Sequence, residues 1–163
     1  MNTIWGSERE PELNRYLSMW AAVQIFGEPD SFGPCTTMGV FDDGKLIAVM
    51  VYHNMDQRRG VIEISGAATD PRWLTRAVLK EMFDYPFLQL KVQALVMRVS
   101  EEDKRLGRIL HAYGFESHVI PRLRGRNEAE VIYLLTDDAW AANKFTSRKS
   151  LKISSSIEET AAA

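Results

Sequence analysis

Glu63 stands between apolar Ile62 and Ile64 in a run, Val61 to Ser65, that alternates as a half-buried strand does. A carboxylate placed there can take a proton from a substrate. It can also be a charge on the solvent face of the strand, which is the commoner use. Further on, Arg72 and Arg76 lie around the start of a helical pattern, where cations either support a bound phosphate or face water. His53 ends a strand beside Tyr52 and Asn54 and reads as a hydrogen-bonded edge histidine, while His111 and His118 read as surface residues. The three histidines and the single cysteine show no metal-ligand spacing. Cys35 follows Gly33 and Pro34 without an evident base, so nothing points to a nucleophile. The basic run Arg122-Leu123-Arg124-Gly125-Arg126 adjoins Glu128 and Glu130 and reads as a solvated hairpin tip.

The elements that must hold these residues follow from periodicity. Ser7 to Gly27 has apolar positions at helical spacing (Leu13, Leu17, Trp20, Phe26), with Ser7 as the expected N-cap and Pro11 in the first turns. Met38–Phe41 and Leu46–Tyr52 flank Asp42-Asp43-Gly44-Lys45, the signature of a hairpin. Val61–Ser65 is a third strand, and a helix is expected from about Asp70 and Pro71 through Asp84. Gln93–Val99 is a fourth strand. A helix from Ser100 or Asp103 then ends at Gly114, and two strands, Phe115–Leu123 and Ala129–Leu135, close the pattern. The long connection between the third and fourth strands predicts a right-handed crossover, hence a parallel pair.

A chain of 163 residues, 45% hydrophobic and 26% charged, suits one globular domain with a full core. Residues 1–145 are expected to form it, and 146–163, rich in Ser, Lys, Glu and Ala, to be a flexible tail. A net charge of −2 gives no general attraction to nucleic acid or anionic lipid, so neither is an expected partner. One cysteine allows no intrachain disulfide, and no apolar run approaches the ~20 residues that cross a bilayer. With no signal-peptide pattern at Met1 to Gly6, a cytoplasmic protein is expected, monomer or homodimer.

The element order, together with Arg105 to Glu116 (a helix ending in Gly114-Phe115, then a strand) and the closing hairpin Gly125 to Leu135, resembles the GNAT superfamily of acetyl-CoA-dependent N-acyltransferases. The resemblance runs from about Met38 to Trp140. With Trp73-Leu74-Thr75-Arg76 at the start of its central helix, the chain is similar to acetyltransferase-like proteins of bacteriophages and prophages. The resemblance implies an α/β (α+β) fold with a mixed, mostly antiparallel sheet, a central parallel strand pair and helices on both faces.

It also implies a site for acetyl-CoA (coenzyme A) where the parallel strands part. Ile64 and Ser65 would hold the pantetheine arm, and Arg72, Trp73, Leu74, Thr75 and Arg76 would surround the diphosphate. Asp103 matches an asparagine common in the family. Glu63 would be the general base toward an amine, and His111 or Tyr113 would supply a proton to the leaving thiolate. Trp73 and Thr75 occupy the family's two glycine places, and Leu110 occupies its tyrosine place. The implied activity is therefore acetyl transfer to a primary amine. The alternative is a catalytically inactive phage structural or protein-binding module, with the first helix (Met19, Trp20, Phe26) as its surface.

Overall fold

The computed structural model describes residues 1–145; the segment expected to be a tail, 146–163, lies outside the described residues. The described residues divide into two compact units, the first Met1–Arg98 and the second from Val99 onward. Among the described residues seven strands are mostly antiparallel, with one parallel pair. This is the expected α/β class.

The first unit holds, in this order across the sheet, β1 (Asn2–Gly6), β2 (Cys35–Asp42), β3 (Lys45–Asp56), β4 (Val61–Ala68) and the greater part of β5 (Ala94–Ser100). The β2–β3 hairpin pairs Asp42 with Lys45. Asp43 (φ 46°) and Gly44 (φ 75°) are its two left-handed turn residues, the geometry that matches the twist of the flanking strands. β1 was not expected from the sequence. It pairs antiparallel with β2, from Asn2 opposite Phe41 to Gly6 opposite Thr37.

Helix α1 (Pro11–Phe26) covers one face of this sheet, where Leu17 and Ala21 pack on Leu46, Val49 and Val51. It starts three residues later than the Ser7 cap requires. Pro11 takes the first helical position, where its missing N–H costs nothing, and the Ser7 hydroxyl instead accepts the N–H of Arg9 and donates to the Glu10 carboxylate. Gly27 (φ 79°) ends the helix with its N–H on the Val23 carbonyl. Asn14 ties the helix to the sheet: its amide donates to the Cys35 carbonyl and its oxygen accepts the Thr37 hydroxyl. Helix α2 (Arg76–Asp84) serves the opposite face, where the buried Tyr52 hydroxyl donates to the Met82 carbonyl at 2.8 Å. A π-helical turn, Tyr85–Gln89, continues α2, and its Tyr85 ring packs edge-on against Tyr52, on which Trp5 stacks.

The second unit contains α3 (Lys104–Tyr113), β6 (Glu116–Ile120), β7 (Glu130–Thr136) and α4 (Asp137–Ala142). β6 and β7 pair antiparallel, from Glu116 opposite Leu134 to Ile120 opposite Glu130. Short α4, also unexpected, is capped by the Thr136 hydroxyl accepting the Ala139 N–H.

Candidate functional site

β4 and β5 run parallel, as the crossover argument requires. Their register pairs Val61 with Ala94, Ile62 with Leu95 and Glu63 with Val96. Beyond Glu63, β4 continues to Ala68 on its ladder with β3 alone, out to the pair of Ala48 with Ala68. The edge of β4 from Ile64 onward is therefore open toward β5, with backbone polar groups available to a ligand. The closed end is fixed by Gly60 (φ 65°), whose carbonyl accepts the N–H groups of both Gln93 and Ala94.

Glu63 sits at the last paired position, and its surroundings are not solvent. Its side chain is 15% exposed; one oxygen accepts the Asn54 amide at 2.9 Å and the other lies 3.9 Å from His53 Nε2. The same His53 nitrogen is 2.8 Å from Ser65 Oγ. The β3–β4 register, with His53 opposite Glu63 and Val51 opposite Ser65, puts all three side chains on the α1 face. A shift in pairing between His53 and Asp56, with Asn54 at φ 51°, turns the Asn54 amide onto the carboxylate. The Phe32 ring meets the His53 ring edge-on at 5.1 Å. His53 is hydrogen-bonded, as expected, but it is buried on an inner strand and not at an edge.

Burial holds the His53 imidazole below its usual pKa of 6.5; Glu63 opposes this and Arg98 reinforces it. The unfolded chain then takes up the proton first, so stability present above pH 6.5 is lost as pH falls through the folded-state value. Urea midpoints should be lower at pH 5.5 than at 7.5, and His53→Gln should shrink that difference. An unchanged difference would mean that other groups carry it.

The segment before α2 departs from the expected helix start. Asp70 and Pro71 open a separate 3-10 turn, Pro71–Trp73, with the Asp70 carboxylate accepting the Arg72 N–H. α2 begins only at Arg76, capped by the Thr75 hydroxyl accepting the Val78 N–H at 3.2 Å. Thr75, in one of the glycine places, is thus the N-cap. Trp73 and Leu74 are half-buried in the turn ahead of it. The Arg72 guanidinium is bidentate on Asp70 (2.6 and 3.1 Å) and 3.7 Å from Asp42. It holds the Asp70 carboxyl down at about 2. Two carboxylates therefore already neutralise Arg72, whereas Arg76 is exposed and makes no ion pair among the described residues. The N–H groups of Arg76 and Ala77 face outward from the first turn of α2, as helix geometry requires.

The second unit carries the other expected residues. The Asp103 carboxylate accepts the Leu106 N–H and caps α3. Exposed His111 lies 3.2 Å from Ser117 Oγ, while Tyr113 is buried and stacks on Phe145. Leu110 is core. The sequence reading missed Tyr133, a buried phenol on β7 that reads locally as one of the apolar alternation Val131, Tyr133, Leu135. Burial, and then the Asp103 carboxylate, push its hydroxyl above its usual range. The signal for it is Gly107: a Cβ there would stand 2.6 Å from the Tyr133 hydroxyl.

Alanine normally stabilises a helix interior over glycine by about 1 kcal/mol. Here Gly107→Ala should lower the thermal midpoint. In a Tyr133→Phe background, where the next contact is 3.7 Å away, it should raise it. A cycle of the four proteins should show coupling of about 1–2 kcal/mol. Stabilisation in both backgrounds would show that the contact does not limit the site.

No family model and no curated protein matches the chain. Solved structures do. The spermidine/spermine N-acetyltransferase SpeG of Vibrio cholerae superposes with TM-score 0.66 at 13% identity, over 85% of this chain and 97% of that one. A putative acetyltransferase of T. thermophilus gives 0.57 at 15% identity, covering 78% and 69%. The ribosomal-protein-S5-alanine acetyltransferase of Vibrio fischeri gives 0.55 at 15%, covering 65% and 63%. These sources are bacteria, not phages. The chain therefore has the fold of the GNAT-type acetyltransferases, with its parallel strands parting at Glu63.

Proposed function

We propose that the protein is a cytoplasmic N-acetyltransferase that moves an acetyl group from acetyl-CoA to a primary amine. One observation carries the reading: a nearly buried carboxylate, Glu63, stands where the β4–β5 pairing ends and the edge of β4 opens.

The residues fit the two halves of coenzyme A unequally. The open edge of β4 from Ile64 and Ser65 to Ala68 suits a pantetheine arm, which needs strand-like hydrogen bonds. At the diphosphate end the chain offers Arg76 and the first N–H groups of α2 in place of a glycine-rich loop. Acetyl-CoA would supply an activated thioester. Glu63 then accepts a proton from the incoming ammonium, leaving a neutral amine to attack. Asn54 holds one carboxylate oxygen, so the other remains directed at the cluster of His53 and Ser65. A backbone N–H on the open edge of β4 would stand ready to hold the thioester carbonyl oxygen, and the thiol leaving group would take its proton from solvent.

Calorimetric titration with acetyl-CoA and a thiol-release assay over a set of amines test the reading. Spermidine is the first acceptor to try, because the structure of a spermidine acetyltransferase covers most of this chain. Saturable binding with amine-dependent thiol release is expected, and absence of binding overturns the proposal. The engagement of Arg72 by Asp70 and Asp42 favours a second reading, a binding module without catalysis. Acetyl-CoA binding without turnover of any amine would support that one.

A further inference from the structure

A single imidazole nitrogen lies between two oxygen-bearing side chains of β4. His53 Nε2 is 2.8 Å from Ser65 Oγ and 3.9 Å from a carboxylate oxygen of Glu63. The strand register produces this: His53 is directly opposite Glu63, and Ser65, two residues on, shares that face of β4. The first distance is a hydrogen bond, and the second becomes one after a shift of about 1 Å. Asn54 holds the other Glu63 oxygen, so the oxygen facing His53 is the one left to take a substrate proton.

A carboxylate that takes a proton from an ammonium must pass it on before it acts again. An ordinary imidazole holds a proton roughly a hundredfold more tightly than an ordinary carboxylate. Burial favours a neutral His53 ring at rest, the state able to accept. The groups around the ring allow a transient charge without fixing it. Glu63 favours that charge from β4, and the Arg98 cation on β5 opposes it. Cys35, opposite His53 on β2, is kept a neutral thiol by burial, and the Phe32 ring meets the imidazole edge-on. Ser65 suits both states, since a hydroxyl can donate to a bare Nε2 or accept from Nε2–H.

We propose that His53 is the proton store for amine acetylation, a positioning residue that acts through Glu63; the inference rests on that reading of the site. Glu63 takes a proton from the substrate ammonium and returns to a carboxylate by passing it to His53 Nε2. The Ser65 hydroxyl turns from donor to acceptor in the same step. The imidazolium releases the proton to solvent between turnovers, which restores the resting state.

Heteronuclear NMR of the histidine rings in the full chain, without cofactor or amine, reads the resting state. His53 should carry its proton on Nδ1 with Nε2 bare, and Glu63→Gln should lower the ring's pKa by removing the facing carboxylate. A protonated Nε2 at rest overturns the proposal, as does a pKa indifferent to Glu63→Gln. The pH profile of kcat with an accepted amine reads the working state. Wild-type kcat should fall on the acid side at the pKa found for the ring, because a filled store accepts nothing. His53→Gln keeps a partner for Ser65 but holds no proton. It should lower kcat about tenfold or more, leave both KM values within about twofold, and move the acid limb to lower pH. Ser65→Ala should also lower kcat, and Ser65→Thr, which retains the hydroxyl, should recover it. A His53→Gln protein that loses rate without moving the acid limb has lost only packing, and overturns the proposal. So does an acetylated Ser65 after incubation with acetyl-CoA, which would make that hydroxyl a nucleophile. A wild type without turnover removes the acetylation reading and the proton store with it, whereas failure of the store alone leaves wild-type turnover intact.

Discussion

Glu63→Gln should lower kcat for amine acetylation by about 10²- to 10⁴-fold, the usual contribution of a general base, while acetyl-CoA affinity stays within about twofold. The substitution is nearly isosteric. The Asn54 amide keeps an oxygen to donate to at the same place, so the packing of β3 against β4 is undisturbed. What disappears is the proton-accepting capacity at the last paired position of β4. Because the open edge of β4 begins one residue later, the contacts proposed for acetyl-CoA should survive and the loss should fall on kcat. Steady-state kinetics with a confirmed acceptor, combined with calorimetry, separate the two quantities. A variant within threefold of wild type would place the base elsewhere, and one that no longer binds acetyl-CoA would make Glu63 a structural residue.

The largest expected effect on stability is at Gly6. A Cβ there would stand 2.6 Å from Thr37 Oγ1, 2.7 Å from Asn14 Cα and 2.9 Å from Asn14 N. Two of these neighbours are backbone of α1, so no rotamer change relieves the contact. Gly6→Ala must push α1 away from β1, straining the Asn14 bonds to Cys35 and Thr37. A cost of about 1–3 kcal/mol is expected, lowering the melting temperature by roughly 2–12 °C. Gly66→Ala is the control. Its Cβ would meet Met50 Sδ at 2.5 Å, but that is a flexible thioether that can swing aside. Differential scanning calorimetry should therefore show a clearly smaller shift for Gly66→Ala. Equal shifts would remove the distinction between backbone and side-chain neighbours.

Local chemistry decided which parts of this fold could be read beforehand. Asp43-Gly44 announced a hairpin because only such residues adopt its backbone at low cost. Asp103 and Gly114 bounded α3 for comparable reasons. The parallel pair followed from chain connectivity. β1 escaped because its partner β2 is distant in sequence, and only Gly6 of its five residues is fully buried. The start of α2 was misplaced because Asp70-Pro71 is a sound initiation signal that the chain spends on a 3-10 turn, before Thr75 supplies a second one. For the site, alternation located Glu63 but not its burial. That depends on the β3 register and on the irregularity at Asn54, which no local pattern encodes. The engagement of Arg72 with Asp42 depends on a tertiary approach of the same kind.

The double acceptance at Gly60 has a mechanical consequence. With Gln93 and Ala94 both held by one carbonyl, the start of β5 is pinned beside the start of β4, while β4 itself stays anchored on β3. From Glu63 to Ala68 the edge that β5 leaves unpaired is roughly 16 Å long, at about 3.3 Å per residue. Over that length a change of about 4° in the angle between the two strands alters the gap at its far end by about 1 Å, the scale on which hydrogen bonds are made or lost. Gly60 thus sets the point from which the width of the opening is measured.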